Sequence, residues 1–452
     1  MKELIDKQVN FFNSNITKDI DFRIEQLKKL KKTIKESEKT LMEAIYKDFK
    51  KAEFETYSTE LALVYGDINE AIKKVQKWSK VKRVGTNLVN FPAKSYIIPE
   101  PLGVSLIIGA WNYPYQLSLA PVVAAMVAGC TIILKPSELP ANTSHALAQL
   151  VRDNFDPSYF AVVEGGVSET TELLEHKFDK IFFTGSVPVG KTVYEAAAKH
   201  LTPVTLELGG KSPAFITEDC KLDICVKRLV WAKFLNAGQT CIAPDYILVH
   251  RNIKDKFLKQ LKEEIERSDF SFENRNYVQI INDKNMQRLI DLLDKGKITF
   301  GGNYELESRY FQPTVMIEVS FDDKVMQEEI FGPILPIIEY ENLEEVIHKV
   351  KQLPRPLSCY VFTSDKKIKD KILHEISFGG GCVNEAVMHI ANSKLPFGGV
   401  GNSGIGSYHG EAGFRAFTHY KSVLDKPTWL EMNMKYSPYT SQKISMIKKV
   451  LG

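Results

Sequence analysis

Cys241 closes the stretch Asn236-Ala237-Gly238-Gln239-Thr240-Cys241, which is small, polar and uncharged and is followed closely by Pro244. A thiol in that setting is a candidate nucleophile, because thiolates attack carbonyls well and the resulting thioesters hydrolyse readily. A free cysteine is more often a core residue. The other five, Cys130, Cys220, Cys225, Cys359 and Cys382, lack this setting, and most sit beside apolar residues. Glu207 stands between Leu206 and Leu208 in the run Thr205 to Ser212. A carboxylate there is costly to bury unless paired or protonated. Burial would raise its pKa and make it a base near neutral pH; the plainer alternative is a glutamate facing solvent from a sheet edge. Asn112 follows an apolar run, where its amide can donate to a developing oxyanion or satisfy its own backbone in a turn.

A second candidate is Thr184 to Thr192, Thr-Gly-Ser-Val-Pro-Val-Gly-Lys-Thr, in which Gly185, Gly190, Lys191 and Thr192 satisfy the triphosphatase pattern G-x-x-x-x-G-K-[ST]. Pro188 lies inside it and has no N–H to give a phosphate nest. The best magnesium-binding partner elsewhere, Asp219 after Phe215-Ile216, is a poor one. The same glycines suit a dinucleotide, whose pyrophosphate is attracted to a helix N-terminus by free N–H groups and the helix dipole.

The elements around these residues alternate. Residues 18–51 and 58–78 carry apolar residues at helical spacing. Residues 81–101 break that pattern and suit a protruding hairpin. Val104 to Ile108, Thr131 to Leu134, Phe160 to Val163, Ile181 to Phe183 and Val204 to Leu206 read as buried strands, with helices at 117–128, 145–151 and 191–199 between them. Pro121 falls in the first turns of the first of these helices and Gly129 ends it. Such alternation implies a parallel α/β sheet, which binds ligands at the carboxyl ends of its strands. Asn112, Lys135, Gly185 and Glu207 all follow strands. A second α/β region runs from about 209 to 418, with a helix over 222–234 leading into Cys241.

The whole-chain properties bound the reading. The sequence has 452 residues, enough for two or three domains. Lys plus Arg total 59 against 56 for Asp plus Glu, without the basic excess of a nucleic-acid surface. Six cysteines without a C-x-x-C pair suit neither a disulfide scaffold nor zinc. No metal site is expected, and a reducing, cytoplasmic setting is. The uncharged stretch Leu102 to Leu134 is long enough to span a bilayer, but Asn112, Pro114, Gln116 and Pro121 interrupt it, and a buried strand-helix-strand unit fits better. The basic end Ile444 to Gly452 reads as a solvated tail.

Taken in order, further segments carry a resemblance. They are residues 99–104, Trp111-Asn112-Tyr113-Pro114, Lys135-Pro136-Ser137-Glu138, Phe183 to Ser186, Leu206 to Lys211, Gly238 to Cys241, Glu329 to Pro333, and Leu395 to Gly399. The chain resembles the aldehyde dehydrogenases along nearly its whole length. Cys241 to Tyr246 and the run ending Ser407-Tyr408-His409-Gly410 resemble the class 3 branch, of fatty and aromatic aldehyde dehydrogenases. Some of that branch carry an apolar C-terminal membrane tail; the sequence to Gly452 shows none, and a soluble enzyme is expected.

The resemblance implies a Rossmann-like cofactor domain (1–81 and 103–208), an α/β catalytic domain (209–418) and a small β oligomerisation element (82–102 and 423–440), assembled as a homodimer. It makes Cys241 the nucleophile, Glu207 the general base and Asn112 part of the oxyanion site, in oxidation of an aldehyde to a carboxylate by NAD. Lys135 and Glu138 would hold the adenosine ribose, Gly185 and Ser186 the pyrophosphate, and Gly190 would allow close packing there. Glu329 would hold the nicotinamide ribose, with Phe331, Trp111 and Leu208 nearby. A carboxylate at Glu138 disfavours a 2′-phosphate, so NAD is preferred, with NADP accepted by many relatives. Tyr113, Tyr115 and Phe397, with Met388 and His389, are expected to line an apolar substrate tunnel for aliphatic or aromatic aldehydes.

Overall fold

The computed structural model describes residues 1–451, with side chains through 449. Its centre is a six-stranded sheet in the order Gly404–Ile405, Val204–Glu207, Lys180–Thr184, Val104–Ile108, Thr131–Lys135, Phe160–Val162. The last five run parallel, as the alternation implies. Val104–Ile108, Thr131–Lys135 and Lys180–Thr184 are buried along their whole length, which is why they read as mainly apolar or β-branched runs, with Ser105, Lys135 and Lys180 the exceptions.

Between the first two of those strands lies the helix Pro114–Ala128, every residue of it buried. That burial accounts for the long uncharged stretch. Among the described residues no helix is long and apolar enough to cross a membrane. The helix starts three residues before the expected Leu117, so Pro114 takes the first turn, where its missing N–H costs nothing, and Pro121 falls inside the helix. Two N-terminal helices cover this unit. Ile20–Phe49 is capped by the Asp19 side chain accepting from the Phe22 N–H at 2.9 Å. Ala62–Trp78 is preceded by a π-turn over Tyr57–Leu61.

The second sheet has seven strands, in the order Ile298–Phe300, Thr314–Met316, Ile334–Tyr340, Tyr246–His250, Pro213–Ile216, Ser358–Phe362, Gly380–Val383. It is parallel except at its first pair. One piece crosses the expected boundary at 209. Gly404–Ile405, from the later region, pairs antiparallel with Glu207 and Leu206, so the sequence after 395 returns to the edge of the first sheet.

The third sheet is the expected hairpin, Lys82–Val84 with Lys94–Pro101, joined by Thr418–Asp425. The joining strand begins five residues before the expected 423, and no strand follows from 426 to 440. Its sequence, THYKSVLD, is mostly exposed and lacks apolar alternation, so the sequence pattern does not mark it as a strand.

Candidate active site

The helix Leu222–Phe234 delivers the chain to Cys241 through a sharp reversal. Asn236, Ala237 and Gly238 take φ of 54°, 51° and 72° in succession. At Gly238 a Cβ would lie 2.3 Å from the Gly332 carbonyl oxygen, so no larger residue fits. Gln239 clamps the reversal. Its amide nitrogen donates to the carbonyls of Asn236 and Gln279, each at 3.1 Å, and its side-chain oxygen accepts from the Ile281 N–H at 3.0 Å.

Asn112 is tied to the same loop. Its side-chain nitrogen donates to the Gln239 carbonyl at 3.0 Å, and its own carbonyl accepts from the Asn236 side chain at 3.0 Å. One hydrogen of the Asn112 amide remains for a ligand. Cys241, Asn112 and Glu207 line a single cavity of about 1520 Å³.

The electrostatics of the three are unusual. Burial, then the nearby Glu329 and Glu207, push the Cys241 thiol up to about 12, against the pull of the Cys241 and Ile242 N–H groups that face the sulfur. Glu207 ends the strand Val204–Glu207 and is buried, and neither of its carboxyl oxygens has a hydrogen-bond partner among the described residues. Burial alone holds it well above the usual carboxyl range. In the resting site burial therefore favours the protonated form of both groups.

Part of the cavity fits a dinucleotide. Lys135 is buried at the end of Thr131–Lys135 and donates to the Pro136 carbonyl at 2.8 Å, leaving further N–H groups for a hydroxyl; burial lowers its pKa. Glu138, Gly166, Gly185 and Ser186 continue the wall, and Ser186 immediately precedes the helix Val187–Ala198. The triphosphatase alternative loses its loop. Only Gly185 and Ser186 lie between the strand ending at Thr184 and that helix, and Lys191 is an exposed helical residue that does not line the cavity. Gly190 does not line it either. It is a packing position, where a Cβ would come 2.5 Å from the Leu208 side chain.

Glu329 and Phe331 reach the cavity from a loop braced on several sides. Asp245 accepts from the Ile330 N–H at 3.0 Å, Lys211 bridges Asp245 and the Glu328 carbonyl at 2.5 and 2.9 Å, and Arg288 donates to the Ile330 carbonyl at 2.6 Å. The Glu329 carboxyl lies against Gly209, where a Cβ would sit 1.9 Å from its Oε2. Burial and then Asp245 push it up to about 8. Phe331 holds φ of 49° and meets Trp111 edge-on at 5.4 Å.

Of the expected tunnel residues, Tyr113, Met388 and Phe397 line the cavity. Tyr115 does not. It is fully buried on the core side of its helix, its hydroxyl donating to the Leu41 carbonyl at 2.8 Å. His389 also faces away, toward Ser358 at 3.3 Å and Cys382 at 3.5 Å.

Sequence reading missed a buried pair behind the site. Lys51 and Glu60, both fully buried, meet at 2.7 Å. The second oxygen of Glu60 accepts from the Tyr115 and Gln116 N–H groups at 2.7 and 3.3 Å, capping the helix Pro114–Ala128 from a distance. Lys51 Nζ lies 4.0 Å from the Tyr113 ring centroid, and the Tyr113 hydroxyl meets Thr240 at 2.7 Å, one residue from Cys241.

The model of the aldehyde dehydrogenase family matches residues 12–423. A 4,4′-diaponeurosporen-aldehyde dehydrogenase from Staphylococcus aureus is 47% identical over 435 residues, covering 95% of this chain and 94% of that one. A dimeric, NADP-preferring aldehyde dehydrogenase from Rattus norvegicus is 45% identical, covering 92% of each. The solved substrate-bound state of a Staphylococcus aureus AldH superposes with a TM-score of 0.97 at 45% identity, covering 100% of this chain and 99% of that one.

Proposed function

Because the chain belongs to the aldehyde dehydrogenase family, class 3-like within it, and is an oxidoreductase acting on aldehydes, we propose that it converts aliphatic or aromatic aldehydes to carboxylates through an acyl group carried on Cys241. The observation that carries this reading is that Cys241, Glu207 and Asn112, from separate parts of the chain, line one cavity together with Lys135, Glu138, Gly185, Ser186 and Glu329.

The Cys241 thiol gives its proton to solvent, and the sulfur bonds to the aldehyde carbon. The carbonyl oxygen becomes an alkoxide, which the free Asn112 amide hydrogen and the Cys241 N–H stabilise. When bound, NAD or NADP would supply the acceptor for the hydride that leaves the carbon, and the adduct on Cys241 thereby becomes a thioester. Lys135 and Glu138 would hold one ribose, Glu329 the other, Gly185 and Ser186 the pyrophosphate, and Trp111, Leu208 and Phe331 would border the nicotinamide. Glu207, once deprotonated, takes a proton from water, whose oxygen attacks the thioester carbon. The carbon–sulfur bond breaks, the carboxylate leaves, and Cys241 is restored.

Glu138 favours NAD by charge, while the rat relative's name specifies NADP preference, so both nucleotides are substrates in this reading. We place the enzyme in the cytoplasm, where its six free cysteines stay reduced. Tyr113 and Phe397 border the aldehyde. The exposed three-stranded sheet is the proposed dimer element, in keeping with the dimeric relative. The test is nucleotide reduction with a medium-chain and an aromatic aldehyde. Wild type is expected to reduce NAD and Cys241→Ala not to. Undiminished reduction by Cys241→Ala would overturn the reading.

A further inference from the structure

Part of the cavity wall has no role in the mechanism above. Phe54, Leu117, Trp231 and Phe234 lend apolar surface to the same cavity, and the Glu55 carboxyl lines it with them. Glu55 belongs to the short helix Glu53–Thr56, immediately before the π-turn Tyr57–Leu61. Such local widenings recur at functional positions. Glu55 lines the cavity, and its Oε1 is buried with no hydrogen-bond partner among the described residues.

The polar groups beside it are already engaged. The Ser58 hydroxyl donates to the Phe54 carbonyl at 2.7 Å, and the Thr59 hydroxyl to the Glu55 carbonyl at 2.6 Å. Lys51 is held by Glu60 at 2.7 Å. Glu55 itself faces the Asn236 N–H and lies close enough to Tyr113 to raise the phenol's pKa. Asn236 holds Asn112, and Tyr113 meets Thr240, so Glu55 borders the substrate side of the nucleophile's loop. Burial raises the Glu55 pKa above the ordinary carboxyl range. A buried acceptor facing an apolar wall is costly unless a ligand satisfies it.

We propose that Glu55 is a specificity-determining residue that recognises a hydrogen-bond donor, a hydroxyl or an ammonium, carried by the aldehyde a few bonds from its carbonyl carbon. The inference rests on the dehydrogenase reading. A site built to bond a substrate donor discriminates strongly against the analogue lacking it, because its own polar group is then left unpaired.

The experiment uses the full-length enzyme and straight-chain aldehydes of equal length ending in a methyl, a hydroxyl or an ammonium group. The quantity read is kcat/KM for each donor-bearing aldehyde divided by that for the methyl-ended one, in wild type, Glu55→Met and Glu55→Ala. The ratio is internal to each protein, so a general loss of activity does not enter it, and either variant that folds carries the test. At least one ratio is expected to fall about tenfold or more in the variants, mainly through KM. A fall in the hydroxyl ratio alone identifies a neutral donor, and a fall in the ammonium ratio alone a cationic one. Wild type active on all three with both ratios unchanged in the variants overturns the role of Glu55 alone. Wild type inactive on every aldehyde overturns the dehydrogenase reading and this inference together.

Discussion

Glu60 and Glu207 are both buried glutamates near the same cavity, and their surroundings are opposite. Glu60 has Lys51 on one oxygen and two backbone N–H groups on the other. Glu207 has no such partner among the described residues, and burial alone raises its pKa. Fully satisfied, a buried carboxylate is an anchor, here for the helix that carries the Asn112–Tyr113 corner. Left unsatisfied, it carries a standing cost in stability, and in the proposed mechanism it gives up its proton when substrate and water arrive. The contrast separates structural from reactive carboxylates better than burial does.

Exchanging the two roles by mutation gives the largest effects. Glu207→Gln removes the proposed base but keeps the shape, and steady-state turnover is expected to fall by about 10²- to 10⁴-fold while one round of acylation persists, seen as a burst of reduced nucleotide. Glu60→Ala leaves Lys51 buried and unpaired, and a loss of about 3–5 kcal/mol in stability is expected from chemical denaturation. Glu207→Gln should do the reverse and gain stability over wild type, because a neutral amide carries no ionisation cost. The sign follows from the raised pKa. Wild type loses stability as pH climbs above the unfolded glutamate value of about 4.3 toward the folded one, so the variant's advantage should grow with pH, as melting at acid and alkaline pH would show. With Cys241 pushed up to about 12 and Glu207 also raised, kcat/KM should climb with pH across the neutral range. The smallest effect concerns Gly209→Ala, whose Cβ displaces the Glu329 carboxyl; KM for the nucleotide should rise roughly tenfold with kcat less affected.

Much of this was legible in the sequence. The strands Val104–Ile108 and Thr131–Lys135 are mainly apolar or β-branched because both of their faces are covered. Cys241 and Glu207 stood out because each residue type was out of place among its neighbours. What the sequence hid depends on long-range or local three-dimensional detail. Lys51 and Glu60 are nine residues apart across a π-turn, and their target is the N-terminus of a third helix. Tyr115 lies only two residues from the cavity-lining Tyr113, but the helix begins between them and turns its side chain into the core. Gly404–Ile405 joins a sheet whose other strands are some two hundred residues earlier, through a pairing that two residues cannot announce.

The acyl group proposed to be carried by Cys241 and removed with the help of Glu207 is open to direct detection. Mass spectrometry of Glu207→Gln, mixed with aldehyde and NAD and quenched after the burst, reads it. The expected result is an acyl adduct on the peptide containing Cys241, absent when NAD is omitted and short-lived in wild type. A variant that turns over at the wild-type rate, or that reduces nucleotide in a burst without any adduct on Cys241, would contradict the assignment.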